Sequence, residues 1–265
     1  MSGRAAGLHC ECLGAGPDVV MVHGWAMHSG VWRDFAEQLA MRFRVTLIDL
    51  PGHGRSAGSA LFTLDAVTDA LLAAAPPSAH WLGWSLGGLF ALNAAIRQPQ
   101  AVSSVVLMAA TPRFTACDDW PGVGAEVLDA MSADFERDFT ATLKRFVALQ
   151  TLGQDHARML ARRIEACVHE APPPGAEAVR GGLKVLRGTD LREAMAGMPQ
   201  PLLVVLGGRD RLVPRRLAGA LSAIRPDLSV FEVPGAAHLP FLTHQTETVE
   251  RVADFLSYPE RPCLA

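Results

Sequence analysis

A serine bracketed by glycines, Gly83-Trp84-Ser85-Leu86-Gly87-Gly88, lies between two segments of different periodicity. Before it, Ala79-His80-Trp81-Leu82 reads as a short buried strand. After it, Leu86 to Arg97 reads as a helix that has to stop before Pro99. Strand, tight turn and helix with serine at the apex leave few folds open. The turn is so sharp that side chains two positions either side of Ser85 would meet neighbouring backbone. Gly83 and Gly87 remove them, and Gly88 lets the helix approach the sheet. Ser85 is thereby presented at a helix N-terminus, where the dipole favours a developing negative charge. The plainer alternative is a glycine-rich turn that happens to carry a serine, so the rest of the chain has to supply its partners.

The remaining chain alternates strands and helices. Leu8 to Leu13 reads as a first strand, turning at Gly14-Ala15-Gly16-Pro17, and Asp18 to His23 as a buried one ending at His23-Gly24-Trp25. A helix over about 31–40 buries Trp32, Phe35, Ala36 and Leu39 on one face. Arg44 to Asp49 is the next strand and opens into Leu50-Pro51-Gly52-His53-Gly54-Arg55-Ser56. Asp65 to Ala74 reads as a helix, Ser103 to Ala109, Pro201 to Leu206 and Leu228 to Val233 as strands, and 246–256 as a closing helix. Short apolar strands alternating with helices specify an α/β fold: a mostly parallel, doubly wound sheet covered on both faces. Ligands of such sheets sit at the carboxyl ends of the strands.

Between about Pro112 and Gly188 the alternation stops. No strand is evident there, and apolar residues recur at helical spacing in three sets: Phe135, Phe139, Leu143, Phe146 and Val147; Leu160, Ile164, Cys167 and Val168; Val179, Leu183 and Leu186. Pro172-Pro173-Pro174 separates the last two. The expectation is a core of residues 1–111 and 189–265 interrupted by a helical cap, 112–188, that roofs a pocket over the strand ends.

With 49% hydrophobic and 19% charged residues over 265 positions, the chain is globular, and a net charge of −3 argues against general nucleic-acid binding. No run approaches the ~18 apolar residues of a membrane span, and Met1 to Gly7 lacks the apolar stretch of a signal peptide. Cys10, Cys12, Cys117, Cys167 and Cys263 have neither even number nor metal spacing. Reduced thiols, no metal, no cofactor and a cytoplasmic location follow as expectations.

A serine hydroxyl needs a base, and the base a carboxylate to orient it. After an elbow of this kind the partners follow in the order serine, acid, histidine. Asp210 lies in Gly207-Gly208-Arg209-Asp210-Arg211-Leu212-Val213-Pro214, just past one strand. His238 lies in Pro234-Gly235-Ala236-Ala237-His238-Leu239-Pro240, just past the next. His244 lies beyond that loop, His80 is inside a strand and His53 precedes the serine. Asp49 is also upstream, where it is expected to hold its own loop, and Asp190 is at the exit of the cap. The oxyanion of acyl transfer needs two donors. The Leu86 N–H follows the nucleophile directly, and the Trp25 N–H comes from the loop after Asp18–His23, with His23 read as structural. Trp25, Trp84 and Leu86 surround the serine with apolar area suited to an acyl chain or small ester.

On these residues the chain resembles the α/β-hydrolase superfamily along nearly its whole length. It resembles more narrowly the pimeloyl-[acyl-carrier protein] methyl ester esterases of biotin synthesis. The narrower likeness rests on Trp81 to Gly88, Trp120-Pro121-Gly122, Arg145-Phe146-Val147-Ala148-Leu149-Gln150-Thr151 and Leu212-Val213-Pro214-Arg215. The resemblance implies a Ser85, Asp210, His238 triad and an oxyanion hole from Trp25 and Leu86. Substrate then lies against Trp25, Ser85, Leu86, Phe146, Val147, Ala148, Leu149, Gln150 and His238. It also implies an acidic acyl carrier protein as partner, held by Arg145, Arg158 and Arg162, with Ala141 standing where a further base is expected.

Charge on the cap agrees with that partner. Lys144, Arg145, Arg158, Arg162 and Arg163 stand against Asp155 alone between residues 144 and 163. Such a patch would steer an acidic carrier. The expectation is thus a monomeric serine carboxylesterase acting on the carrier-bound methyl ester and on small esters. The same triad also serves generic short-chain carboxylesterases, cofactor-free haloperoxidases and C–C hydrolases, and the fold can serve as a non-catalytic receptor.

Overall fold

The structure, a computed structural model, describes residues 2–5, 7–58 and 61–258, with side chains from residue 7 onward; Cys263 lies outside them. Eight strands form one sheet: β1 (Ser2–Ala5), β2 (Leu8–Leu13), β3 (Asp18–Val22), β4 (Arg44–Ile48), β5 (Ala79–Trp84), β6 (Val102–Met108), β7 (Leu202–Gly207) and β8 (Ser229–Val233). Their order is β1-β2-β4-β3-β5-β6-β7-β8. β1 and β2 are antiparallel, as are β2 and β4; every later pairing is parallel. The mostly parallel α/β sheet read from the alternation is therefore present, with β1 as an additional edge strand.

The order reverses at β3. Helix α1 (Arg33–Leu39) crosses outward from β3 to β4, whereas α2 (Leu64–Ala74) and α3 (Leu86–Arg97) cross the other way. Right-handed crossovers in opposite directions lie on opposite faces, so the sheet is covered on both. Burial accounts for the strand composition. Every residue of β7 is buried, as are four of five in β3, and both read as unbroken apolar runs. In α3 the ten residues from Leu86 to Ala95 are all buried, because the helix is wedged between the sheet, α2 and the helices that follow β6.

The segment between β6 and β7 is helical: α4 (Ala125–Arg137), α5 (Phe139–Gln150), α6 (Ala157–Val168), α7 (Ala176–Gly188) and α8 (Arg192–Ala196). The set from Phe135 to Val147, read as one stripe, is split between α4 and α5. Asp138 is extended at φ −155°, and its carboxylate accepts from the Ala141 N–H at 3.0 Å. An N-cap that favourable starts a new helix even though the apolar spacing runs through it. α7 packs on α3 and α4, α6 on the 3-10 turn Ser29–Trp32, and α8 on α3 and on α9 (Leu217–Ile224). The chain ends with α10 (Pro240–Thr243) and α11 (Gln245–Ser257). No helix among the described residues is long and apolar enough to cross a membrane. Cys117 and Cys167 are free thiols.

Candidate active site

Ser85 terminates β5 with φ +52° and ψ −120°, a conformation that side chains rarely adopt. Its N–H donates to the Met108 carbonyl at 3.0 Å and its carbonyl accepts from Gly88 N–H at 2.9 Å. The flanking glycines are required by contact. A Cβ on Gly83 would collide with the Gly87 carbonyl, and one on Gly87 with the Val22 carbonyl. Ala26 and Ala109 also have positive φ, so three of the four left-handed non-glycine residues among those described cluster at the carboxyl ends of β3, β5 and β6. Strain of this kind persists where packing over-determines the backbone, and it marks the end of the sheet at which the candidate side chains gather.

Asp210 and His238 meet there. His238 Nδ1–H donates to Asp210 Oδ2 at 2.7 Å, with both side chains at most 1% exposed. The other carboxylate oxygen accepts from the Leu212 and Val213 amides at 2.8 and 3.0 Å, which locks the carboxylate plane. The two loops are laced together by main-chain bonds from Gly208 N–H to Val233 O (2.9 Å) and Arg209 N–H to Ala236 O (2.8 Å). A Cβ on Gly207 would strike the Ala237 carbonyl. From the elbow side, Trp84 Nε1–H donates to the His238 carbonyl at 2.9 Å. His238 Nε2 is buried and has no partner among the described residues. That leaves the ring with one nitrogen committed to a carboxylate and one able to accept a proton, in a site where apo hydrogen bonds to the nucleophile are commonly long.

The competing groups are committed elsewhere. His23 donates from Nδ1 to the Gly24 carbonyl (2.8 Å) and accepts the Leu50 N–H at Nε2 (2.9 Å). Burial pushes it down to about 3, so it is a neutral strut. His53 bonds the Pro51 carbonyl through Nδ1 at 3.1 Å; its Nε2 is also unpartnered among the described residues, but no carboxylate orients the ring, and burial pushes it down to about 4. His80 bonds Ser104 Oγ, and His244 bonds Thr243 Oγ1. Asp49 holds its loop, as expected, by accepting the Ser29 and Arg55 amides at 2.7 and 2.8 Å. Asp190 pairs with Arg113 and Arg192. Among the described residues no three His, Cys, Asp or Glu side chains gather as a metal site.

The Trp25 and Leu86 main-chain amides make no hydrogen bond among the described residues. Both lie beneath α7. Trp25 Nε1–H donates to the Val179 carbonyl of α7 at 2.9 Å, and its ring meets Phe146 edge-on at 4.8 Å. A Cβ on Gly182 would come within 2.7 Å of Trp25 Cδ1 and 3.1 Å of Leu86 Cδ2, so α7 rests directly on the two candidate oxyanion residues. His28, which the sequence does not single out, donates from Nε2 to the Cys167 carbonyl at 2.7 Å and ties this loop to α6.

The Phe146–Gln150 segment divides. Phe146, Val147 and Gln150 are buried, with Gln150 Oε1 unpartnered, and the Gln150 carbonyl accepts the His238 N–H at 3.4 Å. Phe146 and Leu149 line a cavity of ≈ 450 Å³ between α4 and α5, whereas Ala148 is exposed. Of the three arginines, Arg145 is already paired with Asp134 at 3.1 Å. Arg158 and Arg162 are exposed on α6 and pair with no acid among the described residues.

Residues 17–245 match the family model of the alpha/beta hydrolase fold. The pimeloyl-[acyl-carrier protein] methyl ester esterase of Methylococcus capsulatus is 44% identical over 95% of this chain and 99% of its own. The protein of the same name from Serratia marcescens is 44% identical over 94% and 98%. Among solved structures, an esterase from Exiguobacterium antarcticum superposes with a TM-score of 0.86 at 22% identity, covering 94% of this chain and 95% of that one. A bromoperoxidase from Bacillus anthracis does so with 0.85 at 21%, with the same coverage. Likeness at that distance speaks for the fold alone, since the two names describe different chemistries.

Proposed function

The chain belongs to the pimeloyl-[acyl-carrier protein] methyl ester esterase family of alpha/beta hydrolases, and on that footing we propose that it hydrolyses the methyl ester of pimeloyl-[acyl-carrier protein], a step of biotin synthesis. The observation that carries the mechanism is the Asp210–His238 bond of 2.7 Å with His238 Nε2 left unpartnered at the strand ends where Ser85 is presented. Ser85 Oγ attacks the ester carbonyl and its proton passes to His238 Nε2. The resulting oxyanion lies between the Trp25 and Leu86 amides. His238 then protonates the departing methoxide, which leaves as methanol, and the acyl group stays on Ser85. Water, deprotonated by the same nitrogen, attacks the acyl-enzyme and releases the free carboxylic acid. Asp210 orients the imidazole and stabilises its charged form throughout.

The substrate chain lies against Trp25 and Phe146, whose edge-on contact forms an apolar wall. The carrier docks on the cap, where Arg158 and Arg162 share a face of α6 four residues apart. Arg145 contributes less to docking than the other two, because it is held in an ion pair with Asp134, a carboxylate it shares with Arg137. On this reading the protein works as a cytoplasmic monomer with no cofactor. The test is methyl-ester loss from pimeloyl-carrier protein, followed by mass spectrometry and methanol release, with Ser85→Ala as the blank. Hydrolysis of simple esters with none of the carrier ester would leave a general carboxylesterase and remove the carrier reading.

A further inference from the structure

One turn of the cap, between α5 and α6, touches both loops that carry the acid and the base. Gln154 Nε2–H donates to the carbonyl of Gly235 at 2.9 Å, three residues before His238. Arg209, adjacent to Asp210, donates from its guanidinium to the carbonyl of Gly153 at 2.8 Å. The same Arg209 donates its main-chain N–H to Ala236 O at 2.8 Å, so one residue spans cap turn, acid loop and base loop. No carboxylate pairs with Arg209 among the described residues, and its side chain is exposed. An exposed arginine devoted to one main-chain carbonyl needs an explanation other than an ion pair. The turn itself is tightly shaped, with Gly153 at φ +83° and His156 at φ +59°.

We propose that Gln154 and Arg209 are positioning residues that latch the cap to the Asp210 and His238 loops and so set the aim of His238. The proposal rests on the Ser85–His238–Asp210 reading above. Its physical basis is an asymmetry between stability and rate. Hydrogen bonds at the surface are a small part of what holds a domain together. Alignment of a base is far more demanding, and a displacement of about 1 Å can cost on the order of a hundredfold in turnover. The turn also lies next to Arg158 at the start of α6. Movement of the cap face and alignment of the base are therefore one mechanical event.

The test compares wild type with Gln154→Ala, Arg209→Met, the double variant and Arg209→Lys, using p-nitrophenyl butyrate. The double variant is expected to lose roughly ten- to a hundredfold in kcat, with KM within about twofold of wild type. Its Tm should fall by no more than about 4 °C. Arg209→Lys, which keeps a donor within reach of the Gly153 carbonyl, should recover most of the Arg209→Met loss. A double variant with wild-type kcat overturns the proposal, as does a rise in KM alone, which would mean that the turn only shapes the pocket. If the double variant does not fold, the two single variants carry the same comparison, each lacking one bond. A His238→Ala protein as active as wild type would remove the underlying triad reading. An inactive His238→Ala beside a fully active double variant would remove the latch alone.

Discussion

Trp84 Nε1–H donates to the His238 carbonyl at 2.9 Å, and the two rings stand 5.8 Å apart at an angle of 50°. The residue immediately before the elbow serine thus holds the main chain of the candidate base. They stand 154 positions apart in sequence and are bridged by one bond at the carboxyl edge of the sheet.

Trp84→Phe keeps a ring in that place and removes the donor. A buried carbonyl left without its partner costs about 1–3 kcal/mol, which denaturant titration will resolve. Turnover should fall more than KM changes, because the bond removed is the one that holds the His238 main chain. Unaltered turnover would mean that Asp210 alone suffices to hold the imidazole.

Ser85→Ala and His238→Ala are each expected to lower ester turnover on the order of 10⁶-fold. Asp210→Asn should cost on the order of 10⁴-fold, since an amide at Oδ2 favours the wrong imidazole tautomer while the Leu212 and Val213 bonds at Oδ1 survive. Steady-state kinetics on p-nitrophenyl acetate with pure protein provides the check. Full activity in any of the three would overturn the assignment of that residue.

Charge reversal at Arg158 and Arg162 should weaken use of the carrier-linked ester and spare small neutral esters. Both are exposed and unpaired with acids among the described residues, so their field is available for long-range attraction. That attraction is screened beyond about 8 Å at physiological salt, so rising salt should depress kcat/KM for the carrier substrate only. Arg145→Glu is a poorer probe, because it would set two carboxylates against each other at Asp134 and disturb the α4–α5 contact. Equal losses on both substrates would indicate damage to the cap rather than lost steering.

Stability should decline in mild acid. His23 and His53 are fully buried, and burial lowers them to about 3 and about 4 from the ordinary value of 6.5. The unfolded chain therefore binds protons at these groups before the folded chain does, and stability rises with pH across the interval. The full contribution is present above pH 6.5 and is lost as pH falls, through about 4 for His53 and through about 3 for His23. Denaturant titrations between those limits measure the slope. His53→Gln should reduce it by the share of one proton, and a flat profile would refute the buried-neutral assignment.

Much of the fold was legible because its signals are local. Strand β3, helix α3 and the elbow between β5 and α3 are each specified by a few consecutive residues. Asp210 and His238 stood out because each follows its own apolar strand, in an order that the elbow anticipates. The split at Asp138 was less visible: the apolar spacing from Phe135 to Phe146 continues through it, and only the carboxylate's bond to the Ala141 amide shows that one helix ends there and another begins. Edge strand β1 carries no apolar alternation of its own.

By itself, the sequence determined which side chains are available and at which turn each is displayed, since backbone freedom at glycine and apolar periodicity are properties of neighbours in the chain. Which of those turns become neighbours was decided by the order of the sheet. Placing β6 between β5 and β7, with β8 beyond, brings the ends of β7 and β8 against each other and against Trp84. The pairing of Arg145 with Asp134, the seat of α7 on Trp25 and Leu86 and the bonds of Gln154 and Arg209 arise in the same way. None has a local signature, because each is a contact between segments whose approach is fixed only when the whole core has packed.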